Sequence, residues 1–160
     1  MTHSMPYRYN LPFVAGDDTG PEWGRRFLAA HNYERRARGL PPLTGSARLD
    51  EVAQLRVDDM VAERYFGHDD PRDAPDRIDG KYHQIMEQLS ITGWHWAGEN
   101  LAMNNAADPL PRAMTQLMNS PTHRANILDP EYTHMGAAAL LDSERRYWFA
   151  CIYTSGGDAL

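Results

Sequence analysis

Apolar positions recur at helical spacing in the first half of the chain and alternate in the second. From Trp23, residues Trp23, Phe27, Leu28 and Ala30 fall on one stripe at three- and four-residue spacing until Gly39 and the Pro41-Pro42 pair stop it, which predicts a first helix. Ser46 is placed to cap a second. In it Leu49, Val52, Ala53, Val57, Met60 and Val61 form the inner face, with Asp50, Glu51, Asp58, Asp59 and Glu63 outside, and the end falls near Arg64. The stretch from Phe66 to Gly80 (FGHDDPRDAPDRIDG) cannot continue a helix through Pro71 and Pro75, so it reads as a loop. A shorter helix is expected from about Ile78 to Leu89.

Alternation over Trp94 to Met103 then puts His95, Ala97, Glu99, Leu101 and Met103 on one face of a strand, with Gly98 marking a bulge. Asp108 and Pro109 open a helix that runs through Met114, Leu117 and Met118 to a break at Ser120-Pro121, and PTHRANILDP reads as a loop. Met135 to Leu141 and Tyr147 to Thr154 flank the polar turn Asp142 to Arg145 and predict a hairpin. Helices that precede and separate a few strands predict an α+β class in which helices cover a sheet. Residues 1–22 carry Pro6, Pro12, Gly16, Gly20 and Pro21 with Tyr7, Tyr9 and Phe13 between them, and read as an irregular arm. The expectation is a monomer, or a chain weakly associated through that arm.

Composition narrows the function classes. The 160 residues are one domain's worth of chain and can bury a core without staples. The single cysteine, Cys151, excludes a disulfide framework and any CxxC metal or redox site, and its alternation with Phe149 and Tyr153 predicts an inert buried thiol. No apolar run approaches the roughly 20 residues that cross a bilayer. No secretory signal is visible in residues 1–20. With 16 basic against 22 acidic residues the net charge is −6, which disfavours nucleic acid as a partner. HExxH, GxSxG, Walker-type and GxGxxG patterns are absent, so zincin, serine-hydrolase and nucleotide-binding readings lose their support.

Three residues carry candidate chemistry. His68 follows Gly67 in the loop after the second helix. Glu99 lies on the strand face that should be buried, so its carboxylate needs a cation or hydrogen-bond donors beside it. His123 lies within SPTHRANIL, just after the helix that begins at Pro109. Two imidazoles and a carboxylate make either a hydrogen-bonded polar cluster or an open metal site, since two His and one Glu with a vacant position resembles catalytic zinc coordination. His31, His83, His95 and His134 read as surface or core residues, although His95 shares the nominal face of Glu99. Met103, Met114, Met118, Trp94 and Trp96 read mainly as core. Asp69, Asp70, Asp73, Asp76 and Asp79 fail the alternate-residue pattern of an EF-hand and read as a solvated loop.

The runs FLAAHNYERRARGLPPL, LDEVAQLRVDDMVAERYFGHDDP, AGENLA and MNSPTHRANILDPEYTHMG, in that order, resemble the bacterial branch of the CAP superfamily, named for cysteine-rich secretory proteins, antigen 5 and pathogenesis-related 1 proteins. The likeness runs from about Trp23 to Gly157. It implies an SCP-like domain over residues 23–157, between the arm and a 158–160 tail, folded as a three-layer α-β-α sandwich with a mainly antiparallel central sheet. It also implies a central cavity with His68, Glu99 and His123 as its metal residues. The family's fourth cavity residue, a glutamate on the helix before the second histidine, has no counterpart, because Pro109 to Thr122 contains no acidic residue. The expected function is a binding or interaction module for a small ligand, a peptide or a protein. No cofactor is required, and a divalent ion such as zinc is the candidate the resemblance adds. The alternative is a metal-dependent hydrolase in which Glu99 is the catalytic residue. The resemblance favours an extracellular or cell-envelope location.

Overall fold

A computed structural model describes residue 9 and residues 21–74 and 80–160. Helix α1 (Pro21–Arg36) leads to a short strand β1 (Thr44–Gly45), and α2 (Ala47–Glu63) and α3 (Lys81–Gln88) follow. Strand β2 (Ala97–Asn104), helices α4 (Pro109–Met118) and α5 (Pro121–Leu128), and the hairpin of β3 (His134–Leu141) and β4 (Tyr147–Thr154) complete the domain. The sheet order is β1-β3-β4-β2. β1 lies parallel to β3, and the other two pairings are antiparallel, so the sheet is mixed, with its antiparallel part dominant.

Strand alternation divides the core in two. Ala102, Met135, Ala137, Ala139, Phe149, Cys151 and Tyr153 face Trp23 and Phe27 of α1, Leu110 to Leu117 of α4 and Ile127 of α5. Leu101, Ala138, Trp148, Ala150 and Ile152 face Leu49 to Met60 of α2 and Ile85 and Met86 of α3. A sheet buried on both faces, with helices on each, is the three-layer α-β-α arrangement.

Ser46 caps α2 as its sequence predicts, its Oγ accepting from the Leu49 N–H at 3.1 Å. The helix ends on Arg64, which adopts a left-handed conformation (φ 59°). Gly136 lets α2 lie directly on β3, since a Cβ there would come within 2.1 Å of the Leu49 carbonyl carbon.

Several expectations are corrected. Gly98 makes no bulge, for the β2–β4 register runs unbroken through it from Ala97↔Thr154 to Asn104↔Tyr147. Glycine is needed there because a Cβ would meet the Tyr132 hydroxyl at 2.4 Å. PTHRANIL is a helix, not a loop: Pro121 occupies its first turn, where proline fits because no N–H is required of it. Asp50 points inward and accepts the Ala137 N–H at 2.9 Å, so it belongs to the packed face despite its charge. β2 begins at Ala97, which leaves His95 and Trp96 exposed in the preceding turn. Helix α1 begins two residues before the predicted Trp23. Most of the expected arm, and the middle of the 66–80 loop, lie outside the described residues. Tyr9 is described and is buried, hydrogen-bonded through its hydroxyl to Glu34 of α1.

Candidate functional site

Helix α2 contributes the feature that no sequence motif announced. Arg56 falls within the buried stripe of α2 and is wholly buried, as is the Glu99 side chain opposite it on β2. Arg56 Nε donates to Glu99 Oε2 at 2.7 Å and Nη2 to Oε1 at 3.1 Å, a two-point pairing. The remaining guanidinium donors go to the Tyr65 hydroxyl (2.9 Å) and the Gly67 carbonyl (2.6 Å). Burial works against the Arg56 charge, but the hydrogen bond and charge of Glu99 outweigh it and hold the guanidinium above its ordinary pKa. The cation that a buried Glu99 demands is therefore supplied by Arg56.

Beyond α2 the chain turns through Gly67 and brings His68 over Glu99. The His68 Nδ1–H donates to Glu99 Oε1 at 2.8 Å, while about half of the imidazole stays open to solvent. That hydrogen bond raises the His68 pKa above the usual imidazole value, with burial opposing it. Glu99 thus receives donors on both oxygens.

His123 stands in the first turn of α5, where its Nδ1 shares a hydrogen bond with the Ser120 hydroxyl at 2.7 Å. Partial burial, and then the charge of His68, push its pKa down. The structure therefore brings His68 and Glu99 into contact and His123 within electrostatic reach, without a hydrogen bond from His123 to either. Behind His123 lies a polar chain that sequence reading missed. Asn100 Nδ2 donates to the His123 carbonyl at 2.9 Å and to the Tyr153 hydroxyl at 3.1 Å, and Asn126 Nδ2 donates to Asn100 Oδ1 at 2.8 Å. The Tyr153 hydroxyl in turn donates to Nε2 of the buried His31, whose Nδ1–H donates to the Phe27 carbonyl, both at 2.7 Å. Asn100 follows Glu99 within the GEN run, so its alternation to the opposite sheet face was the one signal available.

In front of His123 a groove of about 320 Å³ opens between Phe66 and α4, with Leu101, Ala102 and Met103 of β2 as its floor. Met103, read from sequence mainly as core, lines this groove, and Trp96, read the same way, is exposed.

A divalent ion finds few ligands in this geometry. Among the described residues no group of three or more His, Cys, Asp or Glu side chains is gathered to hold a metal. Glu99, with both oxygens taken by Arg56 and His68, acts as the group that orients an imidazole. With each ring anchored at Nδ1, the donors left are at most two imidazole Nε2 atoms, one short of the three protein ligands of a catalytic zinc site.

A three-layer sandwich with a carboxylate-anchored histidine beside its edge strand is the arrangement of an SCP-type domain. The chain belongs to CAP, the cysteine-rich secretory protein family, which it matches over residues 28–153. It is 33% identical over 112 residues to YkwD of Bacillus subtilis, covering 70% of this chain and 40% of that protein. An SCP-domain extracellular protein from Bacillus anthracis superposes with a TM-score of 0.71 at 21% identity, over 91% of this chain and 45% of that one. Manganese-bound Ac-ASP-7, an Ancylostoma-secreted protein, superposes at 0.51 with 15% identity, over 79% and 64% respectively. The chain spans less than half the length of YkwD. No helix among the described residues is long and apolar enough to cross a membrane.

Proposed function

We propose that the domain is a binding module whose groove beside β2 takes a small polar ligand or a peptide through the outward edges of His68 and His123. The observation that carries this reading is that both imidazoles are tied at Nδ1, to Glu99 and to Ser120, which fixes two rings in place and leaves Nε2 of each for a ligand. Fixing a ring in advance lowers the ordering cost of binding. The same pair gives zinc or another divalent ion a weak two-imidazole site, a reading that the manganese-bound relative supports. An extracellular or envelope location is supported by the extracellular Bacillus relative. The hydrolase alternative draws less support, because a carboxylate saturated with donors is a poor base for water.

Calorimetric titration with zinc at neutral pH, alongside a thermal-shift screen of small polar compounds and short peptides, tests the reading. Any ligand found should lose about tenfold or more in affinity in His68→Ala and in His123→Ala, the cost of one good hydrogen bond. Zinc binding, where present, should weaken as pH falls through the raised His68 pKa, since both imidazoles must be neutral to coordinate. Chelator-sensitive hydrolysis that Glu99→Gln abolishes would replace the binding module with the enzyme.

A further inference from the structure

Strand β2 is an outer strand of the sheet, and side chains blunt its outward carbonyls at every position but one. The Ser155 N–H donates to the Trp96 carbonyl, which fixes the register so that even-numbered positions of β2 bond to β4 and odd-numbered positions face away from the sheet. Side chains then cap the odd-numbered carbonyls. The Tyr82 hydroxyl donates to Ala97 O (3.3 Å), Asn126 Nδ2 to Glu99 O (3.4 Å) and Gln116 Nε2 to Met103 O (3.2 Å). Among the described residues no side chain caps the C=O of Leu101 or accepts from its N–H. Leu101 stands at one end of the groove floor, two residues along β2 from the Glu99 that holds His68, and Met103 stands at the other end, with Phe66 and His123 also lining the groove. Proteins usually protect such edges, so a single uncapped carbonyl framed by capped ones is a defined opening.

We propose that this opening accepts an extended peptide by strand addition, its backbone exchanging hydrogen bonds with the N–H and C=O of Leu101. The uncapped stretch between Glu99 and Met103 spans roughly 13 Å at strand rise, enough for three or four residues. Pleating aims the peptide's central side chain at the Phe66–His68 side and its two neighbours at Leu117, Ser120 and His123. No acidic side chain lines the groove of a protein whose net charge is −6, and the Glu99 charge is answered by Arg56. The fitting partner is therefore a peptide with an acidic side chain at an imidazole and apolar residues against Phe66 and Leu117. This rests on the binding-module reading above and adds the class of ligand and its mode of attachment.

The test is a random heptapeptide library selected on the intact chain, followed by synthesis of the enriched sequences and calorimetry. Each peptide is then remade with a single N-methyl group at successive backbone amides, which deletes one N–H and leaves every side chain in place. The expected result is a loss of about tenfold or more at the amide opposite Leu101 and little at its neighbours. The Leu101 amide should also shift in NMR spectra and become protected from exchange on binding. Failure to enrich any peptide with Kd below about 1 mM would overturn the proposal. So would peptides indifferent to N-methylation, or an unmoved Leu101 amide. Peptides that bind indifferently to N-methylation yet lose affinity in His68→Ala or His123→Ala would end strand addition while leaving the binding module standing. A groove that responds only to small polar compounds or to zinc would do the same.

Discussion

Arg56 shows what a buried charge requires and what its removal exposes. Arg56→Met leaves Glu99 buried without its cation, and breaking such a pair costs about 3–5 kcal/mol, readable as a lower urea midpoint. Arg56→Met combined with Glu99→Gln removes both charges and should recover most of that loss. No recovery would mean that packing of the arginine stem, not charge pairing, dominates. His31 is the second informative residue. Burial lowers its pKa from 6.5 to about 4, so it is neutral in the folded protein while the unfolded chain binds a proton between those values. Stability therefore stands in full above about pH 6.5 and falls as pH drops toward 4, by roughly 3 kcal/mol in total. His31→Gln should flatten that part of the stability–pH curve. His68 acts in the opposite sense: its raised pKa contributes stability at low pH that is lost as pH rises through the raised value, and solvent at its half-open ring keeps the effect small.

Close approach of elements explains both what the sequence disclosed and what it withheld. Alternation puts Glu99 with Leu101 on one strand face, which the structure turns toward α2, and the β3–β4 hairpin is legible from its two apolar runs and polar turn. Helix α5 was hidden because Pro121 reads as a breaker when preceded by a helix, although it equally opens one. The two residues of β1 show no period at all, and their pairing with β3 depends on tertiary contact. Arg56 was passed over because charged residues on a helix normally face water, and only the partner 43 positions away in sequence explains its burial. The packing of α2 on the sheet yields a direct test. Gly136→Ala should force α2 away from β3 and cost about 1–3 kcal/mol in chemical denaturation. Ser46→Ala, which only removes a cap, should cost about 1 kcal/mol.

At the scale of the whole molecule, the sheet order has a consequence for how the chain comes to be folded. The strands at the centre, β3 and β4, are the last elements in sequence, and each helix layer buries its apolar face against them. Until they exist, α1 and α2 have no surface to cover, and β2 waits for a partner that pairs Glu99 with Ile152. Pairings so distant in sequence are slow to form. During synthesis the fold therefore remains open until β3 and β4 have left the ribosome, exposing the apolar stripe of α2 to chaperones and proteases meanwhile. A chain cut after Pro130 should show unfolded circular dichroism and rapid proteolysis, whereas the full chain resists both. A nascent domain with this order of strands stays threadable for as long as its last hairpin is missing.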